Sequence, residues 1–194
     1  MNAGLAITFV IGGLFLITIL AFNTQVMNQS QELTLSSINQ NALDNLVDVL
    51  DNDFNKIGFN AGTAVPFTTI TDQNIIFQGD VYDTDTYGST NIRWYFDKND
   101  AVSSTSNPND YYLKRTGPIG NASYGTIEFP VVYFDMNYYT ANGTVTSDKA
   151  SVKKIEVEVI IETGEPYTVN SDNVEYPRLV WKRIFVPNNI NLPY

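Results

Sequence analysis

Apolar and polar positions along this chain fall into three regimes. In the first, Leu5 to Phe22 (LAITFVIGGLFLITILAF), nearly every side chain is apolar, and no charged residue occurs before Glu32. About 18 apolar residues suffice to cross a hydrocarbon core roughly 30 Å thick. In lipid such a run must be helical, because each backbone amide has to be satisfied within the segment. The polar interruptions are Thr8 and Thr18, whose hydroxyls can bond back to the helix's own carbonyls. The residues expected to face lipid or neighbouring helices are Leu5, Ile7, Phe9, Val10, Ile11, Leu14, Phe15, Leu16, Ile17, Ile19, Leu20 and Phe22. A core helix of a soluble domain is the weaker alternative, since a helix that is apolar all round needs a large domain to cover it. A cleaved secretory signal is weaker still. Residues 1–8 hold no Lys or Arg, and the sequence after Phe22 is polar and lacks a small-residue cleavage pattern.

In the second regime the period becomes helical and amphipathic. No Gly or Pro occurs between Phe22 and Gly58. Leu35, Ile38, Ala42, Leu46, Val49 and Ile57 recur mostly at three- and four-residue steps, and Leu43, Val47, Leu50 and Phe54 widen the stripe. This spacing predicts one apolar face packed on a folded domain. Asp44, Asp48, Asp51, Asn52 and Lys56 fall on the other side. Gly58 stands where a helix C-cap glycine belongs, with Lys56 in the last turn. The two regimes form either one helix over about residues 4–57, roughly 80 Å long, or two helices broken near Asn23–Gln31.

From Phe59 the period drops to two. Strands are predicted at Asn74–Gly79, Asn91–Phe96, Tyr111–Arg115, Phe129–Tyr138, Val152–Glu162 and Leu179–Val186. Residues Lys153–Val159 alternate cleanly, so one face is wet and the other packed. Asn142-Gly143 predicts a hairpin turn. Pro177 and Pro187 bracket the last strand and place it at a sheet edge. Asp97–Asp110 and Tyr167–Tyr176 are expected to be polar loops. The predicted fold is α+β, a long N-terminal helix packed on an antiparallel sheet. Its divisions are residues 1–28 for membrane or assembly, 29–58 for the amphipathic half of the helix, and 59–194 for the sheet head.

Composition narrows the chemistry. The 194 residues include no Cys and no His, which removes disulfides, thiol sites, the commonest general base and the commonest transition-metal ligand. The net charge of −10 lies wholly after residue 31, and an acidic head disfavours nucleic acid as a partner. Asp80, Asp83 and Asp85 share one short turn. Hard oxygen ligands at close spacing suit Ca²⁺, although the spacing is not that of an EF-hand and an acidic turn is the plainer explanation. No cofactor is otherwise expected. Trp94, Tyr95, Tyr111, Tyr112, Tyr138 and Tyr139 suit a helix–sheet core better than a binding platform. Glu156 and Glu158 are two apart on a strand and share a solvated face. No phosphate loop, nucleophile elbow or metal motif occurs, and no catalysis is expected.

Helix and sheet together resemble the type IV pilin family, in particular minor pilins of the W type and secretion pseudopilins of the J type. Leu50-Asp51-Asn52-Asp53-Phe54-Asn55-Lys56-Ile57-Gly58-Phe59 resembles the close of that family's helix. Ile75–Asp80, Ile92–Tyr95 and Tyr112–Arg115 resemble its first strands, and Phe134–Tyr138 and Val152–Val157 its late ones. The end Ile184-Phe185-Val186-Pro187-Asn188-Asn189 resembles its closing strand. The family is made with a short basic leader and carries Glu at the fifth mature position. No such leader is written here, so either Gly4 precedes a cut or Met1 is itself mature. The fifth position is Leu5 or, counted from Leu5 as the first residue, Phe9.

The resemblance implies a non-catalytic structural subunit of an envelope-spanning or extracellular assembly, with lipid and other subunits as partners of the N-terminal helix. The missing Glu suits a minor subunit. It also suits a single-pass protein of a lipid-containing virion or of a secretion or motility machine that forms no filament. The few residues before the helix are expected to stay inside, with the head outside the cytoplasm.

Overall fold

The computed structural model describes residues 3–82, 88–120, 123–170 and 173–191. One uninterrupted helix, α1 (Ala3–Asn55, 53 residues), opens the chain. The mediocre helix formers at Asn23–Gln31 do not break it. Threonine hydroxyls along it bond back one turn: Thr8 to the Gly4 carbonyl, Thr18 to Leu14, Thr24 to Leu20 and Thr34 to Ser30, at 2.8–3.0 Å. Each hydroxyl is thus satisfied without water, as a lipid-facing helix requires. The helix ends in a turn in which Gly58 takes φ 80° and donates its N–H to the Gln78 carbonyl at 2.9 Å. A left-handed residue at this point favours glycine.

Among the described residues ten strands follow, in three antiparallel sheets: β1 (Phe67–Ile70), β2 (Asn74–Gly79), β3 (Thr90–Ala101), β4 (Tyr111–Ile119), β5 (Ser123–Val131), β6 (Tyr133–Tyr139), β7 (Lys154–Glu162), β8 (Tyr167–Asn170), β9 (Asn173–Glu175) and β10 (Arg178–Phe185). A 3-10 turn, Asn188–Asn191, comes last. The larger sheet has the order β1-β2-β3-β4-β5, the smaller β10-β7-β6, and β8 pairs with β9. β2 falls where the alternation placed it, and β10 lies at a sheet edge as its flanking prolines indicated. On β7, Ile155, Val157, Val159 and Ile161 are buried while Glu156 and Glu158 on the other face pair with Lys182 at 3.0 and 3.2 Å. Asn142-Gly143 forms a turn, in which Gly143 has φ 82° and the Thr140 N–H reaches the Thr144 carbonyl at 2.9 Å. It closes on an isolated Tyr139–Val145 bridge, however, rather than joining β6 to β7, which starts at Lys154.

Several boundaries differ from the sequence-based expectation. β3 continues to Ala101, so the polar stretch after Asp97 begins as strand. Tyr95 Oη donates to Asp97 and Lys114 reaches Asp100 at 2.6 Å, which lets polar residues extend the ladder. Phe129–Tyr138 is two strands, β5 and β6, meeting at Val132. β1 and the first half of β5 carry too many Thr, Gly and Ser for a period of two to stand out. Within the expected loop Tyr167–Tyr176, β8 and β9 pair antiparallel as short strands.

Phe54 lies at the middle of the core. Its ring stands 6.0 Å from Phe77 on β2, 6.5 Å from Trp94 on β3 and 5.0 Å from Phe185 on β10, so one helical side chain touches both large sheets. Phe96 and Phe134, 6.5 Å apart, join those sheets directly. β2 comes so close to the end of α1 that a Cβ added at Gly79 would sit 2.5 Å from the Lys56 carbonyl oxygen.

Candidate functional site: the bare helix and its junction with the head

Every described side chain from Ala3 to Thr34 is exposed. Within that span Ile7, Phe9, Val10, Ile11, Leu14, Phe15, Leu16, Ile17, Ile19, Leu20 and Phe22 are all open, Phe9 to 83%. The Leu5 side chain lies outside what is described. The helix has a mean hydropathy of 2.2 over its most apolar window, none of it buried, and is long and apolar enough to cross a membrane. Exposed apolar patches on monomeric proteins rarely exceed a few hundred Å², and eleven large side chains around one rod exceed that scale.

Two lengths follow from the helical rise. Leu5–Phe22 spans about 27 Å, close to one hydrocarbon thickness. Residues 23–38 add about 24 Å of stalk before Asn39, the first buried side chain among the described residues. The stalk keeps Val26, Met27 and Leu33 exposed among polar residues, of which Glu32 alone is charged.

At the junction, Leu46, Leu50, Phe54 and Ile57 are buried, while Leu35 and Val49 are half-buried. Ile38 and Ala42, expected in the same stripe, are exposed, Ile38 to 59%. The buried face is instead Asn39, Leu43, Leu46, Leu50, Asp53, Phe54 and Ile57. That line is rotated about the axis from the one through Ile38 and Ala42, because the head meets only the last turns of α1. Asn39 is held there by its Nδ2 donating to the Pro177 carbonyl at 3.0 Å.

Asp53 is the buried residue that periodicity did not single out. Its Oδ2 accepts from Arg115 Nε at 2.7 Å and from Trp94 Nε1 at 2.9 Å, and its Oδ1 accepts from Arg115 Nη2 at 3.0 Å. Arg115 Nη1 donates to the Pro118 carbonyl at 2.7 Å. Asp53 and Arg115 are 0% and 1% exposed. Burial disfavours the Arg115 charge, but the bidentate carboxylate outweighs it and the guanidinium is held above its ordinary value. A signal was present: Asp53 falls three residues after Leu50 and seven after Leu46, on the apolar line itself. This cluster fastens α1 to β3 and β4. Both Asp53 oxygens accept from Arg115 or Trp94, and Arg115 is further held by the Pro118 carbonyl, which makes the cluster a fastening rather than a reaction centre.

Asp80 is buried and accepts from Asn60 Nδ2 at 3.1 Å. Asp83 and Asp85 lie outside the described residues. Among the described residues no three His, Cys, Asp or Glu side chains gather as a metal site. Of the aromatic residues, Trp94 and Tyr138 are core, and Tyr95, Tyr111, Tyr112 and Tyr139 are half-buried.

The architecture is pilin-like: a long apolar N-terminal helix followed by antiparallel sheets. No family model matches the chain. No curated protein and no solved structure matches it either.

Proposed function

We propose that this chain is a non-catalytic structural subunit of an envelope-spanning or extracellular assembly, anchored and assembled by its apolar helix in the manner of a pilin or pseudopilin. The observation that carries this reading is the uncovered helix. Among the described residues its apolar side chains are uncovered, while four turns further on the same helix is locked into a well-packed head. Burying the surface of one leucine-sized side chain is worth about 1.5–3 kcal/mol, so eleven of them supply a large drive toward lipid or toward other helices. The head lies outside the cytoplasm in this reading, and the partners are the bilayer and other subunits, identical or different. The absence of His and Cys from the whole sequence supports a role without catalysis.

A second reading is favoured by the charge pattern. No carboxylate occurs before Glu32. A carboxylate within the membrane is costly and reports a partner; without one, a single-pass anchor of a lipid-containing virion or of a secretion or motility machine fits as well. Electron cryomicroscopy of the native assembly separates the two. Helical symmetry with N-terminal helices packed together supports the filament, and isolated helices in a bilayer support the anchor.

A further inference from the structure

The mouth of the helix–head junction is a groove of about 300 Å³ that neither the core nor the bare helix accounts for. One wall is α1, through Leu35, Ile38 and Ala42; the opposite wall is Pro130 of β5 and Ile161 of β7. This is where the sequence-predicted apolar stripe goes: Ile38 and Ala42 leave the core and line the groove.

Asp110, from the loop between β3 and β4, also lines it. The residue is 1% exposed, and neither carboxylate oxygen has a hydrogen bond of normal geometry. A buried carboxylate without a partner is costly and rare. The loop is nonetheless pinned in place. The N–H groups of Ser106 and Asn107 donate to the Gly164 carbonyl at 2.9 and 3.2 Å, and the Val102 N–H donates to the Asp110 carbonyl at 2.9 Å. The carboxylate is therefore positioned mainly by backbone bonds; its one side-chain neighbour is the Thr105 hydroxyl, which also lines the groove and makes no well-aligned bond to it. The neighbouring acids are already engaged: Glu162 accepts from Arg178 and Asn107, and Glu165 accepts from Ser106. Burial and the Glu162 charge push the Asp110 carboxyl above its ordinary range, with the nearby Thr105 hydroxyl pulling the other way.

We propose that this groove receives a primary ammonium on an aliphatic stem, presented as a lysine side chain by a neighbouring chain, with the ammonium on Asp110 and the stem between Ile38, Ala42 and Ile161. One carboxylate between apolar walls, with only the Thr105 hydroxyl beside it, does not suit a hard cation, which needs about six to eight oxygens. It does suit a donor whose remaining length is hydrocarbon. At about 30 Å³ per water-sized atom, the groove is ample for the five heavy atoms of a lysine side chain. The ammonium part stands on the groove alone; the neighbouring chain rests on the assembly reading.

The test uses the full chain in detergent micelles, with backbone amides followed by NMR during titration with butylammonium chloride and, separately, 1-butanol. Butylammonium is expected to shift the Ala42 and Gly164 amides saturably and to bind about tenfold more tightly than butanol, the ratio expected of a charge-assisted bond. Asp110→Asn removes that preference, and Ala42→Leu, an exposed helical substitution that fills the mouth, weakens both ligands. Equal binding of the two probes, or a preference that survives Asp110→Asn, overturns the ammonium site. Unchanged binding in Ala42→Leu overturns its location, and remains decisive if Asp110→Asn does not fold. In the native assembly, a photocrosslinker at Ala42 is expected to capture a lysine-bearing segment of another chain. Capture of lipid alone overturns the neighbour while leaving the ammonium site and the assembly reading standing.

Discussion

Asp53 shows how much one residue can decide. A carboxylate at this point of an apolar stripe is tolerable only because Arg115 and Trp94 supply three donors to it. Breaking such a pair leaves an uncompensated buried charge, at about 3–5 kcal/mol. We therefore expect Arg115→Met and Asp53→Ala each to lower the melting temperature of the head by about 6–20 °C, at about 2–4 °C per kcal/mol for a chain of this size. The double variant should lose less than the sum, because the orphaned partner goes with its mate. Differential scanning calorimetry of all three variants checks this. Asp110 makes the opposite prediction. Its carboxyl titrates above the unfolded value, so the folded state binds the extra proton in the window between the two. Stability contributed by that proton is present below the ordinary carboxylate range and is lost as pH rises through the raised value. Asp110→Asn should be more stable than the parent at neutral pH, and the gap should close toward pH 4. Denaturant unfolding at a series of pH values measures it, and a gap that widens on acidification contradicts it.

At the scale of elements, α1 is two devices on one backbone. Its last turns are core. Phe54→Ala removes contacts to both sheets and should cost about 3–5 kcal/mol. Gly79→Ala drives a methyl into the Lys56 carbonyl and should cost about 1–3 kcal/mol or more; chemical denaturation reads both. Its first turns are solvent to the head and interface to something else. Leu16→Arg should therefore leave the melting of the head unchanged while lowering membrane insertion by about 2.5–3.5 kcal/mol, read as the inserted fraction in a translocation assay. The sequence made the helix legible because both of its patterns are long: an apolar run over Leu5–Phe22, then steps of three and four as far as Ile57. It also made β2, β7 and β10 legible, where alternation or prolines are unbroken. It misdirected at Ile38 and Ala42 because periodicity marks an apolar line without saying where the head begins to cover it. The Asp53 cluster and the Asp110 groove join residues 62 and 68 or more positions apart, as with Arg115 and Asp53, and no local pattern encodes such pairings. β1 and β5 were hidden because Thr, Gly and Pro at their positions serve edge strands as well as turns.

For the whole molecule, the distribution of charge and grease matters more than either total. All of the net charge of −10 belongs to the part after residue 31, and the exposed apolar surface is concentrated before it. Such a division suits a body fixed at one end and hydrated at the other. The most direct measurement places a photocrosslinking residue at Leu16 of the full chain in its native membrane or assembly and identifies what it captures. Adducts to lipid or to the N-terminal helix of another subunit, with a chain that needs detergent to stay dispersed, are the predicted result. A monomer soluble without detergent, whose Leu16 crosslinks only to its own head, would contradict the assembly role outright.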